Sequence, residues 1–194
     1  DVPKDVQCEA VSFEAWPEPG CAAAPPEFDA AAVARAAAYI NAAAKPVLYL
    51  GGVVVYGGAS EHAVRLAERA SLPTTMTLMG LGAMPPDHPL SMGMLGMHAA
   101  RFTNLSLEEC DLLIAAGARF DDRATGKVAE FCPNAKIVHI DIDHSELDKI
   151  KTAHVGIVGD VRAVLEHLLP KIEPNPRRAW LERLEALRRA YPMD

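Results

Sequence analysis

Short, mostly apolar runs that alternate with helix-forming segments constrain the fold of this chain more than any other feature of its sequence. The runs cover residues 46–50, 73–79, 111–117, 136–143 and 155–160. A strand that is apolar on both sides is typical of a parallel sheet buried between two layers of helices. We therefore predict an α/β fold with a parallel sheet and right-handed crossovers.

Helix-forming segments separate these runs and follow the last of them. Their apolar residues recur every three or four positions, and good helix formers fill the spaces between. The last segment is amphipathic, because Trp180, Leu184, Leu187 and Tyr191 fall on one stripe. The predicted helices cover residues 29–45, 60–71, 103–110, 160–172 and 177–191, with Asp29, Ser60 and Asp160 as N-caps.

Composition and charge argue against several classes of function. The 194 residues carry a formal net charge of -7, and no Lys/Arg cluster precedes the last helix, so we expect no nucleic-acid partner. No run of about 18 apolar residues occurs, so we expect no membrane span. The four cysteines are scattered, which favours a reducing, cytoplasmic compartment over a disulfide scaffold.

The chain divides into three predicted parts. Residues 1–26 are interpreted as an interdomain linker, because they hold five of the fifteen prolines. Residues 27–172 carry the predicted strands and are expected to form one domain, and residues 173–194 are expected to form a C-terminal helix or linker. The chain begins "DVPKDVQ", without Met or a visible signal peptide, so we expect a piece of a longer protein.

The middle of the chain, residues 80–97, is predicted to be a loop because three prolines interrupt regular structure. At its end the stretch "SMGMLGMH" combines glycine with methionine. Glycine permits close backbone approach and methionine gives adaptable contact surface, whereas no acid–base pair or nucleophile is present. His98 is accordingly interpreted as a packed or ligand-contacting side chain, not as a catalyst.

In parallel α/β sheets, ligands bind beyond the carboxyl ends of the strands. Glycines at these ends allow close approach, and Arg119 and Arg123 are suited to pairing with phosphate oxygens. Asp141 or Asp160 is suited to accepting hydrogen bonds from ribose hydroxyls or an adenine amine. Together these residues indicate a dinucleotide. The strand ends in question are residues 51–52, 77–79, 117–119, 141–143 and 159–160.

Each of these features also has an ordinary structural explanation. Gly51-Gly52 does not fit the GxGxxG spacing and equally suits a tight turn, and "FDDR" is typical of a solvated loop. His139, Asp141 and Asp143 alternate, which fits a metal site or, as we favour, a strand edge that meets solvent. GxSxG, HExxH and Walker motifs are absent from the sequence, so no self-sufficient catalytic constellation is predicted.

Three longer motifs are specific enough to indicate a family. "GLGAMPPDHPLSMGMLGMH", "ARFDDRATGK" and "HIDID" closely resemble the catalytic subunits of acetohydroxyacid synthases (acetolactate synthases), which are thiamine-diphosphate enzymes. The resemblance runs from the first residues to about Pro170 and matches the middle of the family's three α/β domains. It implies a three-layer, Rossmann-like (DHS-like NAD/FAD-binding) fold with a parallel six-stranded sheet and helices on both faces.

The resemblance also implies which residues contact FAD. Gly51 and Gly52 would lie under the ribose-diphosphate portion. The implied contacts of the flavin and its ribityl chain are Thr77, Leu78, Met79, Leu95, Gly96, Met97 and His98. The implied contacts of the diphosphate and the middle of the cofactor are Gly117, Ala118, Arg119, Asp121 and Arg123. Asp141, Ile142, Asp160 and Val161 would border the adenosine end.

Two positions depart from the family pattern. Val53 stands where the family usually has a third glycine after the first strand, and Ala99 stands where glycine often follows "GMH". A side chain at Val53 would crowd or shift a bound phosphate. A residue of an adjacent domain that helps to hold the flavin in this family is also missing from the chain.

For the parent protein, the resemblance implies an acetolactate synthase (a transferase) of branched-chain amino-acid biosynthesis. That enzyme condenses pyruvate with a second 2-keto acid with loss of CO2. Thiamine diphosphate and Mg2+ would bind to the outer domains, so we expect this chain alone to be inactive and its FAD to be structural. The implied partners are the neighbouring domains, within a homodimer or tetramer with a possible regulatory subunit. The alternatives are an interdomain module without useful FAD affinity and the middle domain of a sister carboligase.

Overall fold

The computed structural model describes residues 2–16, 18–20 and 24–192. The predicted linker and the predicted C-terminal segment are therefore described only in part, and Cys21 lies outside the described residues. The described residues form an α/β fold around one parallel sheet of six strands. The strands are β1 (Pro46–Leu50), β2 (Thr74–Met76), β3 (Ser91–Met94), β4 (Leu112–Ala116), β5 (Lys136–Asp141) and β6 (Val155–Val158).

The strand order is β3-β2-β1-β4-β5-β6, so the sheet grows in one direction from β1 to β3 and in the other from β4 to β6. A crevice forms at such a switch point because the connections leave β1 and β4 towards opposite faces of the sheet. Every strand pair is parallel, with Leu48 opposite Ile114 at the centre of the sheet. The switch point between β1 and β4 is thus the place where this topology favours a ligand.

Helices cover both faces, as predicted. They are α1 (Lys4–Cys8), α2 (Ala30–Ala42), α3 (Gly52–Tyr56), α4 (Ser60–Ala70), α5 (Arg101–Glu109), α6 (Asp122–Thr125), α7 (Val161–Leu168) and α8 (Arg178–Ala190). Two predicted caps are confirmed, since Asp29 accepts from the amide of Ala31 and Asp160 from that of Ala163. The predicted cap at Ser60 is wrong, because α4 begins at Ser60 and its N-cap is Ala59, without a side-chain hydrogen bond.

The predicted loop at residues 80–97 is wrong at one point, because Ser91–Met94 is the edge strand β3. Tertiary contacts make it a strand: the Met76 carbonyl accepts from the amide of Leu95 at 3.2 Å, and the Thr75 hydroxyl donates to the Gly93 carbonyl at 3.0 Å. The six strands implied by the family resemblance are therefore confirmed, whereas the apolar runs alone indicated five.

Alternate residues of the central strands β1, β4 and β5 enter two separate hydrophobic cores. Leu48 and Ile114 pack with α2, α4 and α7 on one face, and Tyr49 and Leu113 pack with α5 and α8 on the other. Burial on both faces explains why these strands are apolar throughout. The sheet is thereby packed between two layers of helices, and this packing holds the ends of its strands in place.

Helix α8 belongs to this packed structure. Trp180, Leu184 and Leu187 are buried in the second core, as their stripe predicts, and the Trp180 indole donates to the Pro46 carbonyl at 3.0 Å. Arg177, directly before the helix, is buried and donates to the carbonyls of Ile40, Ala43 and Ala70. The last helix therefore covers one face of the sheet, and Arg177 caps the carboxyl ends of α2 and α4.

Among the helices of the described residues, none is both long enough and apolar enough to span a bilayer.

Candidate functional site

A cleft of about 540 Å³ opens at the carboxyl ends of β1, β2, β3 and β4, at the switch point of the sheet. This volume lies within the range of about 300–1,000 Å³ that is usual for small-molecule and cofactor sites. Most of the residues that the sequence singled out line it: Gly51, Gly52, Thr77, Leu78, Met79, Leu95, Met97, His98, Gly117, Ala118, Arg119, Asp121 and Arg123.

The floor of the cleft is made of bare backbone. A Cβ atom added to Gly51 would lie 1.7 Å from the carbonyl oxygen of Gly117, so only glycine fits where β1 meets β4. The Gly51 amide donates to the Ala116 carbonyl at 2.9 Å and thereby closes the two strand ends together. Gly117 adopts the left-handed conformation, with φ +59, which glycine reaches without steric cost. A ligand at this floor would meet peptide groups and, beside Gly117, the side chain of Val53.

Val53 places a side chain at this floor. It lies in α3, is half-buried, and lines the cleft. A Cβ atom placed on Gly117 would be 2.6 Å from the Cβ of Val53, so the valine packs directly over that glycine. The side chain therefore narrows the cleft at the floor but leaves the glycine backbone beside it as part of the lining.

The walls of the cleft expose large apolar side chains. Leu78, Met79 and Met97 are 69%, 57% and 70% exposed, respectively, although each stands beside a well-packed strand end. Exposed apolar clusters of this kind mark contact surfaces for ligands or neighbouring protein. Tyr56, also exposed and on the same rim, adds an aromatic ring. The walls therefore suit a flat, partly apolar ligand.

Two cationic side chains lie at the far rim. Arg119 and Arg123 are exposed and line the cleft, and among the described residues neither takes part in an ion pair. Asp121, between them in the chain, caps α6 by accepting from the Ala124 amide at 3.1 Å. "FDDR" therefore leads into a short helix at the cleft, and the guanidinium groups of Arg119 and Arg123 are available to an anion.

Five of the residues named from the family resemblance do not line the cleft. Gly96 lies behind its wall against α6, and Asp141, Ile142, Asp160 and Val161 lie at the ends of β5 and β6. The Asp160 carboxylate is engaged as the N-cap of α7. The cleft is thus lined by residues that the family resemblance assigns to the flavin and the diphosphate. The residues that it assigns to the adenosine end lie further along the same edge of the sheet.

Asp141 and His139 are buried side by side beneath this edge. One Asp141 carboxylate oxygen accepts from the Asp143 amide at 2.9 Å, whereas the other has no hydrogen-bond partner within the part of the chain that the structure describes. His139 Nε2 donates to the Ala118 carbonyl at 2.9 Å. Burial lowers the pKa of His139 because it disfavours the charged imidazolium, against the opposing effect of Asp141.

The expectation that His139 and Asp141 meet solvent at a strand edge is therefore wrong, and only Asp143 is exposed there. Parallel pairing of β5 with both β4 and β6 buries the strand on both sides. The alternative metal site finds no support either, since no group of three or more potential ligands is gathered among the described residues.

Sequence reasoning did not propose five lining residues: Val53 (noted there only as a departure), Tyr56, Met94, Asp122 and Ala124. Val53 and Tyr56 lie three residues apart on α3, a helix that three successive valines disfavour in the sequence. Asp122 stood within the quoted "ARFDDR" and was available from that motif. Met94 stood within the quoted "SMGMLGMH" and Ala124 within the quoted "ARFDDRATGK", so both were also available from motifs.

Comparison with known proteins identifies the family of the chain. A family profile described as "Thiamine pyrophosphate enzyme, central domain" matches residues 33–168. The chain is 54% identical over 192 residues to the acetolactate synthase isozyme 1 large subunit of Escherichia coli, covering 99% of this chain and 34% of that protein. It is 42% identical over 202 residues to a probable acetolactate synthase large subunit of Methanocaldococcus jannaschii, covering 100% of this chain and 34% of that protein.

It is also 42% identical over 203 residues to the acetolactate synthase large subunit of Parasynechococcus marenigrum, covering 100% of this chain and 33% of that protein. The chain thus spans about a third of the length of these curated relatives. The resemblance indicated by its motifs is confirmed. The chain belongs to the thiamine pyrophosphate enzyme family, and its residues 33–168 match the central domain of that family.

Proposed function

We propose that this chain is the central, FAD-binding domain of a cytoplasmic acetolactate synthase large subunit. The observation that carries the proposal is the cleft at the switch point, with a glycine floor and apolar walls. At its rim stand two guanidinium groups that form no ion pair with any carboxylate of the described residues. A dinucleotide carries an anionic diphosphate between two flat ring systems. The glycine backbone and the guanidinium groups suit the diphosphate, and the apolar walls suit a flat ring system.

The diphosphate is assigned to the centre of the cleft. Gly51 and Gly117 contribute backbone to the lining there, although protein atoms fill the Cβ positions of both, and Arg119 and Arg123 stand at the rim within the same lining. Charge-assisted hydrogen bonds from guanidinium groups to phosphate are about twice as strong as neutral ones. Asp121 supports this arrangement by capping α6, which carries Arg123.

The flavin ring is assigned to the apolar walls. Leu78, Met79 and Met97 would pack on its faces and lose their solvent exposure in doing so. Ala99, the second departure from the family pattern, has φ -75, which any residue adopts, so it is compatible with the turn after His98. When bound, the flavin supplies a structural element and takes no net redox part in the reaction.

The adenosine end is assigned to the ends of β5 and β6. The unpartnered carboxylate oxygen of Asp141 does not carry this assignment, because it is buried 4.0 Å from His139 Nε2, out of reach of a ligand. The assignment is supported by the position of these strand ends along the sheet edge that holds the cleft. Ile142, 40% exposed beside Asp141, offers apolar surface to the adenosine.

For the whole enzyme, the similarity to acetolactate synthase large subunits supports acetolactate synthesis. The reaction we propose is condensation of pyruvate with a second 2-keto acid, pyruvate or 2-ketobutyrate, with loss of CO2. Thiamine diphosphate and Mg2+ would be bound by domains outside this chain. The chain alone is expected to be inactive, and its partners are those neighbouring domains, in a homodimer or tetramer with a possible regulatory subunit.

Substitution of the rim arginines tests the FAD assignment. Arg119→Ala and Arg123→Ala should each raise the Kd for FAD about tenfold or more, because each removes a charge-assisted hydrogen bond of about 1.5–3 kcal/mol. Arg65→Ala, an equally exposed arginine on α4 away from the cleft, should leave the Kd within about twofold. Equal affinities in all three variants would remove the support for a diphosphate at this rim.

A second candidate is a structural module without useful FAD affinity, and the position of Val53 over Gly117 favours it. If Val53 closes the cleft, the unmodified chain should fail to bind FAD and Val53→Gly should bind it. Val55→Gly, on the same short helix but outside the cleft lining, is the matched control for the loss of helix stability. Binding by the unmodified chain, changed little by Val53→Gly, would refute this candidate.

A further inference from the structure

The cleft wall formed by residues 91–98 is attached to the domain through helix α5. The Thr103 hydroxyl donates to the Met92 carbonyl at 2.7 Å, and the next residue, Asn104, pairs with Gly96. Thr103 is fully buried and Asn104 is half-buried, and neither lines the cleft. Both side chains therefore bind the backbone of this wall without themselves lining the cleft.

The Asn104 carboxamide pairs with both polar groups of one peptide residue. Its Oδ1 accepts from the Gly96 amide at 3.1 Å, and its Nδ2 donates to the Gly96 carbonyl at 3.0 Å. A carboxamide offers one acceptor and one donor side by side, whereas a carboxylate offers only acceptors. The chemistry of this contact therefore requires an amide at position 104.

Gly96 is fixed from the opposite side by α6. It has φ +86, and a Cβ atom built on it would lie 2.2 Å from the Arg123 carbonyl oxygen and 2.8 Å from Ala124 Cα. The glycine thus lies between α5 and α6, with the Asn104 pair holding it in place. Met97 and His98, which follow at once, present exposed side chains to the cleft.

We infer that Asn104 is a positioning residue for the cofactor cleft. Its carboxamide holds Gly96 against the backbone of α6 and so sets the wall that carries Met97 and His98 relative to the helix that carries Arg123. Asn104 touches no ligand itself and acts through Gly96. This inference rests on the proposed function, because the ligand for which the wall is positioned is FAD.

The test is titration of the chain with FAD after an isosteric exchange at this position. Asn104→Asp keeps the acceptor for the Gly96 amide but places a carboxylate oxygen against the Gly96 carbonyl, so the Kd for FAD should rise about tenfold or more. Asn134→Asp makes the same chemical change at an exposed site and should leave the Kd within about twofold.

A second comparison separates positioning from stability. Leu105, the next residue on α5, is half-buried against the second core, so Leu105→Ala should lower the melting temperature without touching the Gly96 pair. At saturating FAD, Asn104→Asp should change the visible circular dichroism of the bound flavin, whereas Leu105→Ala should preserve both that spectrum and the Kd. If Asn104→Asp does not fold, Asn104→Ala is measured in its place.

The outcomes distinguish the inference from the proposal on which it rests. Failure of the unmodified chain to bind FAD would overturn both. Binding by the unmodified chain, with an unchanged Kd and flavin spectrum in Asn104→Asp, would overturn only the role of Asn104. The same role would be overturned if Leu105→Ala, at an equal loss of melting temperature, weakened FAD binding as much as Asn104→Asp.

Discussion

Replacement of Gly51 by alanine should damage both the sheet and the cleft. The added Cβ would lie 1.7 Å from the Gly117 carbonyl oxygen, 2.5 Å from the Gly117 carbonyl carbon and 2.8 Å from Ala118 Cα, all of them backbone atoms. Backbone cannot rotate away as the end of a flexible side chain can. The ends of β1 and β4 would therefore have to separate by about 1.5 Å to reach ordinary contact distance.

The cost follows from this displacement. Overpacking of a well-packed site costs about 1–3 kcal/mol, and the hydrogen bond from the Gly51 amide to Ala116 would be lost for about another 1 kcal/mol. Reduced entropy of the unfolded chain returns about 0.4–1 kcal/mol. The free energy of unfolding should therefore fall by about 2–3 kcal/mol, and FAD affinity should fall with it because the cleft floor moves.

Gly156→Ala is the matched control, since it makes the same change in the same sheet. Gly156 is exposed on β6, and its added Cβ would meet only the Leu147 side-chain methyls, at 3.4 Å and 3.8 Å. Here the unfolded-state effect should dominate and stabilise the chain by about 0.4–1 kcal/mol. Denaturant midpoints at constant m-value measure both variants. Free energies of unfolding within about 1 kcal/mol of each other would refute the account of the β1–β4 junction.

Two further predictions concern buried polar groups. Arg177→Ala leaves the carbonyls of two helix ends unpaired, so it should lower the free energy of unfolding by about 3–5 kcal/mol. Arg178→Ala, at the exposed neighbouring residue, should change the free energy of unfolding by less than about 0.5 kcal/mol. Chemical denaturation measures both variants, and similar losses in the two would contradict the capping role of Arg177. Burial lowers the pKa of His139 in the folded chain, so the unfolded chain binds the proton more readily. The free energy of unfolding should therefore fall as the pH drops below about 6.5, the pKa of an unperturbed histidine. It should continue to fall until the pH reaches the lower folded-state pKa, by at most about 1.4 kcal/mol per pH unit. His139→Gln, measured by denaturation between pH 7 and pH 5, should flatten this dependence, and an unchanged slope would contradict it.

Sequence patterns predicted the strands and helices whose own residues carry the signal, either an apolar run or a capping residue. Residues 46–50 and 112–116 are apolar on both faces because both faces are buried, and Asp29 and Asp160 cap helices through bonds to amides two and three residues away. The edge strand β3 was missed because its pairing depends on Met76 and Thr75, which lie well before it in the chain, and because Gly93 within it is more typical of a loop.

Sequence motifs predicted those residues of the candidate site that lie together in one short segment. They did not predict contacts between segments that are distant in the chain. Arg119 and Arg123 could be selected from one short stretch, since guanidinium groups at a strand end suit phosphate. The pairing of Asn104 with Gly96, and the packing of Val53 over Gly117, depend on contacts between separate elements that no local pattern records. The burial of His139 likewise follows from the order of strands in the sheet, not from its own neighbours.

Calorimetric titration of the chain with FAD tests the central claim most directly, with thermal unfolding measured alongside. Saturable binding at one FAD per chain is expected, and FAD at about one hundred times its Kd should stabilise the fold by about 2.7 kcal/mol. For a chain of this size the melting temperature should then rise by about 5–10 °C. A folded chain that shows neither heat of binding nor a rise in melting temperature would contradict the assignment of the cleft to FAD.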